Sequence, residues 1–255
     1  NRQYDKAENL ALLITKKYPM HNYAWKILAA VLEQTNRTSE ALKANQKALE
    51  IDPYDPEIYL CLGNNFNHQE KLNDAELNYK RAIELSPNYL QAFYNLGLIL
   101  KKMQRLEESV SYFKKLINLK PDFVKGYNYL GVVLIDLKEF DEASVNLKKA
   151  IALKPDYHEA FFNLGVALRG VGLREQASDA LKKAIDIKPD YIRAYNLLGV
   201  TLAGLGQHED AIENYKKAIS IDPSYVEAYN NLANTFKELG RFEETSENYK
   251  KAVDI

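Results

Sequence analysis

Apolar residues recur along this chain at three- and four-residue spacing, and the whole pattern returns every 34 residues. Seven of the eight prolines keep that period, at 19, 53, 87, 121, 155, 189 and 223; only Pro56 stands outside it. Counted from three residues after each proline, the repeats begin at Asn22, Pro56, Leu90, Val124, His158, Ile192 and Val226. Position 4 is aromatic in each (Trp25, Tyr59, Phe93, Tyr127, Phe161, Tyr195, Tyr229), and position 7 is always Leu, from Leu28 to Leu232. Position 8 is Gly or Ala, position 20 is Ala, Ser109 or Thr245, and position 27 is Ala except for Leu116.

This spacing predicts two amphipathic helices per repeat. Helix A falls at about positions 1–14 and helix B at about 18–31, counted on the 34-residue grid. Small residues at 8, 20 and 27 let the pair approach closely, and the proline stops helix B. Asn88, Asp122, Asp156, Asp190 and Ser224 read as N-caps of the next helix, with Gln91, Glu159 and Glu227 completing capping boxes. Asp55 before Pro56 offers an alternative start, with proline at the first helical position. The predicted organisation is one array: a partial repeat over 1–21, supplying a helix B only, then 22–55, 56–89, 90–123, 124–157, 158–191, 192–225 and a truncated 226–255. Asn1 falls in mid-repeat and Ile255 at position 30, so both ends read as cut.

The order aromatic, Leu-Gly, Ala, Ala, Pro at this period resembles the tetratricopeptide family, and the resemblance covers the whole chain. It implies an all-α fold: a right-handed superhelical solenoid of antiparallel helix pairs, with helix A lining the concave face. Segments such as Ala228–Ala233 are similar to the repeats of O-linked N-acetylglucosamine transferase-type arrays, whose ladder has Asn at position 6. Asn95, Asn163 and Asn231 match that position, whereas Cys61, Tyr129 and Leu197 depart from it. The carboxylate clamp of co-chaperone repeats is not matched, because Lys26 is followed by Ala30 and Cys61.

Composition narrows the chemistry. Lys plus Arg number 34 against 35 Asp plus Glu, a net charge of −1, so no overall field points to nucleic acid. The repeated Lys-Lys pairs read as a solvated helix face, with Asp179, Glu213 and Glu247 four residues before Lys183, Lys217 and Lys251. The single Cys61 forms no internal disulfide and favours a cytoplasmic setting; no apolar run approaches a membrane span. The four histidines are not spaced as metal ligands, and no phosphate-binding or nucleophile-elbow motif occurs, so neither enzyme nor cofactor is expected.

Function therefore rests on the groove that the resemblance implies, at positions 2, 5, 6, 9, 12 and 13. These place Tyr94, Leu98, Tyr129, Val132, Phe162, Val166, Leu197 and Val200 on an apolar floor. Asn95, Asn163 and Asn231 stand among them, and Lys101, Lys102, Lys125, Arg169 and Arg193 flank it. The expected partner is a protein or extended peptide with apolar and acidic residues, its backbone held by the Asn amides. The expected role is a non-catalytic interaction scaffold. The alternatives are a substrate-docking arm of a glycosyltransferase or sulfotransferase, and self-assembly through open solenoid ends.

Overall fold

The computed structural model describes residues 2–255; Asn1, placed in mid-repeat above, lies outside them. The described residues form fifteen helices and no strand. They are α1 (Arg2–Lys17), α2 (Asn22–Gln34), α3 (Thr38–Ile51), α4 (Pro56–His68), α5 (Leu72–Leu85), α6 (Leu90–Lys102), α7 (Leu106–Leu119), α8 (Val124–Asp136), α9 (Phe140–Leu153), α10 (His158–Gly170), α11 (Arg174–Ile187), α12 (Ile192–Ala203), α13 (His208–Ile221), α14 (Val226–Glu238) and α15 (Phe242–Asp254). Even numbers are the A helices and odd numbers the B helices. The chain folds as two compact units, residues 1–121 and 122–255. Within each, consecutive helices pack on one another. A helices also touch the next A helix: α4 on α6, α8 on α10, α12 on α14.

Helix A ends a residue earlier than its apolar spacing suggests, and helix B starts a residue earlier, because a Schellman turn joins them. The backbone N–H at position 16 donates to the carbonyl at position 11 in every repeat, from Arg37 N to Leu32 O (2.8 Å) to Arg241 N to Phe236 O (2.9 Å). The residue between must be left-handed. Glycine meets this at 172, 206 and 240, while Asn36, Glu70, Gln104 and Lys138 adopt φ of 58–63° despite their Cβ atoms.

The small positions do as expected. From Ala41 to Ala218, every Ala at position 20 or 27 is fully buried. A Cβ added at Gly131 would sit 2.6 Å from Leu147 Cγ, and one at Gly199 2.5 Å from the Tyr215 ring. Position 8 therefore stays small so that the position-24 side chain can lie on the backbone of helix A. Ser109 at position 20 satisfies its hydroxyl by donating to Gly97 O at 2.7 Å.

The capping expectation needs correcting. Asn88, Asp122, Asp156, Asp190 and Ser224 lie one residue before the N-cap; the cap positions are Tyr89, Phe123, Tyr157, Tyr191 and Tyr225, with no side-chain cap bond. An aromatic is needed there to pack: Tyr191 meets the Phe162 ring at 5.2 Å and the His158 ring at 5.2 Å. Asp55 does cap α4, accepting from Glu57 N at 2.8 Å, with Pro56 in the first turn. His21 caps α2 through Nδ1, which the sequence pattern did not suggest. Of the expected i,i+4 pairs, Glu247–Lys251 closes at 2.6 Å, whereas Lys183 turns to Asp186 at 3.5 Å.

Candidate functional site

On the A helices of the N-terminal unit, Tyr94, Asn95, Leu98 and Lys101 are half-buried and Lys102 is exposed. The Tyr94 ring meets Phe113 edge-on at 6.2 Å, and Lys102 Nζ lies 2.6 Å from a Glu70 carboxylate. Asn95 is engaged at both ends of its amide. Its Nδ2 donates to Asn64 Oδ1 (2.8 Å), and its Oδ1 accepts from Gln91 Nε2 (2.8 Å). Asn64 Oδ1 also accepts from Tyr79 Oη at 2.9 Å.

On the A helices of the C-terminal unit, Tyr129, Val132, Asn163, Val166, Arg169, Leu197, Val200 and Asn231 are half-buried, and Lys125 and Arg193 are exposed. Val166, Leu197 and Val200 back onto the core of Leu181, Leu198, Leu202, Tyr215 and Phe236, and each keeps part of its surface open. Phe162 corrects the expected floor. It is only 6% exposed and belongs to that core, covered by Tyr191 and by the Arg193 guanidinium 4.9 Å above its ring.

The asparagines of this unit form a lacing between neighbouring A helices. Asn163 Nδ2 donates to Asn128 Oδ1 at 3.0 Å, and Asn231 Nδ2 donates to Asn196 Oδ1 at 2.9 Å. Position 6 of one repeat thus bonds position 5 of the one before. These amides join repeats first; what they offer a ligand is the remaining half of each group.

Two features escaped the sequence pattern. In the N-terminal unit, Asn45 Nδ2 donates to Asn65 Oδ1 (3.0 Å), and Asn65 Nδ2 donates to Glu33 Oε1 (2.6 Å). Burial pushes the Glu33 carboxyl above its usual value, partly opposed by the Asn65 bond. The nearby Cys61 thiol is pushed up to about 12, chiefly by burial and then by Glu33 and Glu57. The available signal was Asn45 at position 24, where other repeats carry Tyr, Phe or Leu.

In the C-terminal unit, Val200, Ala203, Gly204, Tyr215, Asn231, Asn234, Thr235 and Glu238 line a pocket of about 240 Å³ on the A-helix face. Burial pushes the Tyr215 hydroxyl up to about 12, and that hydroxyl feels both the Arg169 and the Glu238 charge. A larger cleft, about 680 Å³, lies between α11 and α13 over Tyr195. Similar clefts recur between α13 and α15 and between α1 and α3, so it belongs to the packing of B helices generally.

A helix-turn-helix repeat with this turn, this small-residue grid and this spacing defines a helical repeat protein. Models of the tetratricopeptide repeat match residues 1–56, 90–123, 158–191, 180–213 and 226–255, and a TPR repeat model matches 63–104, 133–172 and 202–240. The chain belongs to the tetratricopeptide-repeat family. No curated protein matches it in sequence. Among solved structures, MamA is 30% identical with a TM-score of 0.59, covering 62% of this chain and 93% of its own. YrrB, described as a TPR protein with an unusual peptide-binding site, is 27% identical with a TM-score of 0.61, covering 73% and 96%. Pseudomonas aeruginosa pilF shares the fold at 19% identity and a TM-score of 0.69, covering 81% and 94%. Among the described residues, no helix is long and apolar enough to cross a membrane.

Proposed function

We propose that this chain is a non-catalytic interaction scaffold that holds a peptide or protein segment on the A-helix face of its C-terminal unit. The observation that carries this is the half-buried set Tyr129, Val132, Val166, Leu197 and Val200, repeated at positions 6 and 9 through successive A helices. Val166, Leu197 and Val200 set their inner sides on the core and keep the rest of each side chain open on the A-helix face. An apolar stripe left part-open through successive repeats supports a binding surface. The peptide-binding description of YrrB, a relative of the same repeat class, supports the reading.

The asparagines take a smaller part than their likeness to the transferase-type ladder implied. Asn95 engages both ends of its amide inside the fold, and Asn163 and Asn231 each commit a donor. Backbone recognition then falls to the Asn163 and Asn231 carbonyls and to Nδ2 of Asn234, whose Oδ1 already accepts from Tyr249 Oη at 2.6 Å.

A displayed library of random 12-residue peptides tests the reading. The intact chain should enrich apolar-containing peptides, and Val166→Glu combined with Val200→Glu should abolish enrichment while leaving helix content unchanged. Equal enrichment by parent and double variant rejects the site.

A further inference from the structure

The pocket of about 240 Å³ between α12 and α14 has two unlike walls. Val200 and Ala203, three residues apart on α12, make one side apolar. Asn231, Asn234, Thr235 and Glu238 make the other, and their three- and four-residue spacing sets them on one face of α14. Tyr215, from α13 and 2% exposed, completes the lining. Much of the polar wall is already committed. Asn231 Nδ2 donates to Asn196 Oδ1 (2.9 Å), Asn234 Oδ1 accepts from Tyr249 Oη (2.6 Å), and the Thr235 hydroxyl donates to Asn231 O (3.0 Å). Of the two side-chain amides, Asn231 Oδ1 stays open as an acceptor and Asn234 Nδ2 as a donor. Charge at the pocket has both signs. Glu238 brings a carboxylate, with His208 Nδ1 3.6 Å away. The Arg174 side chain packs over Gly204, which also lines the pocket: a Cβ there would meet Arg174 Nε at 3.2 Å.

We propose that this pocket takes the side-chain amide of a Gln in the bound segment. The inference rests on the scaffold reading above and adds a specificity to it. The volume is below the roughly 300–1,000 Å³ of small-molecule sites and suits a single side chain. An ion of either sign would find a partner and a like charge at the same pocket, Glu238 and Arg174, so charge selects neither. The open groups decide. A carboxamide brings an acceptor for Asn234 Nδ2 and a donor for Asn231 Oδ1, and its methylene stem suits the wall of Val200 and Ala203. A Glu side chain has no donor for Asn231 Oδ1, and a Lys side chain has no acceptor for Asn234 Nδ2. Met would fill the space and leave both amides unpaired. A main-chain peptide group carries the same two polar groups without a stem, so it would cross the mouth and leave the pocket empty. Asn163 offers no such pair, because position 9 of its repeat is Val166.

The probe is a displayed set of 12-residue peptides with a fixed Leu, Val, Ala and Ser frame and one central position varied among Gln, Glu, Lys and Met. The intact 255-residue chain should enrich Gln over the other three by about tenfold. Two variants should then move the choice in opposite directions, with helix content unchanged. Asn234→Asp keeps an oxygen for Tyr249 Oη and removes the open donor, so Gln should lose its lead to Lys. Glu238→Gln leaves Arg174 unopposed, so Glu should draw level with Gln. Apolar peptides bound with no lead for Gln, a Gln lead that survives Asn234→Asp, or an equal loss for every peptide in that variant overturns the Gln pocket and leaves the scaffold standing. No enrichment of any peptide by the parent removes the scaffold reading and the Gln pocket with it.

Discussion

The two units share a repeat grid and differ in how they treat charge on it. In residues 1–121 the cations are matched inside the fold. Lys26 pairs with Asp55 at 2.7 Å and with Glu57, Lys102 with Glu70, and Arg105 with Glu76 at 2.5 Å. In residues 122–255 Arg169 and Arg193 have no such carboxylate among the described residues. The polar interior differs as well. The first unit buries Asn45 and Asn65 and bonds them to a half-buried Glu33, where the second places Val166, Leu197 and Val200 half-open. The turns differ too: Asn36, Glu70 and Gln104 hold the left-handed position in the first unit, and glycine holds it in three of the four repeats of the second. Both units meet the demands of the fold. The second adds a run of part-open Val166, Leu197 and Val200 on successive A helices, and part-open groups are what a partner can use.

Core truncation gives the largest test of whether the units behave separately. Leu62 and Leu198 occupy position 7 in the two units and are 3% exposed each. Either Leu→Ala change should cost about 2–5 kcal/mol. Trp25, the only tryptophan, reports on the first unit alone, while circular dichroism reports on all fifteen helices. Leu62→Ala should lower the Trp25 fluorescence midpoint more than Leu198→Ala does, as expected when stability is summed over repeats and their neighbours. Equal shifts in both signals for both variants would dissolve the distinction and make the array one cooperative block.

The turns give a medium-sized test with opposite signs. Gly206→Ala forces a Cβ into φ +76° and should cost about 1–2 kcal/mol. Glu70→Gly relieves the same strain at φ 58°, less the added freedom of the unfolded chain, for a gain of about 0.5–1 kcal/mol. Urea unfolding of each variant checks the pair. A loss from Glu70→Gly would mean that its ion pair with Lys102 outweighs the backbone strain.

How much of this was readable beforehand follows from what repeats and what does not. The helices, their order and the tight contact at position 8 were legible, because seven copies average away local noise. The caps were misread by one residue, because Asp and Ser at position 33 look like caps by type. The register of the helix start is set instead by the aromatic at position 34, which packs back on helix A of its own repeat, as Tyr191 does on Phe162. Phe162 was misplaced for a related reason. Position 5 lies at the border of the A helix's two faces, and only the arrival of Tyr191 and Arg193 decides that its ring is covered. The Asn lacing was invisible, since a partner 31 or 35 residues away cannot be told from spacing when both residues are Asn.

The smallest test concerns Glu33, the half-buried acid that accepts from Asn65 in the first unit. Its folded value is raised above the ordinary 4.5, with burial as the main cause. The sign follows directly. The folded state favours the protonated form, so the parent is relatively most stable below about pH 4.5 and loses that contribution as pH rises through the higher folded value. The amide introduced by Glu33→Gln stays neutral throughout, and its oxygen still accepts from Asn65 Nδ2. The substitution should therefore raise the Trp25 midpoint by a few degrees at pH 7 and converge on the parent near pH 4. The Cys61 thiol, raised partly by Glu33, should become more reactive toward iodoacetamide in the same variant. A lower midpoint at pH 7 would show that the Asn45–Asn65 amides hold the carboxylate better than they would hold an amide. The first unit's acid would then be a finished structural bond, and the contrast with the part-open apolar run of the second unit would widen.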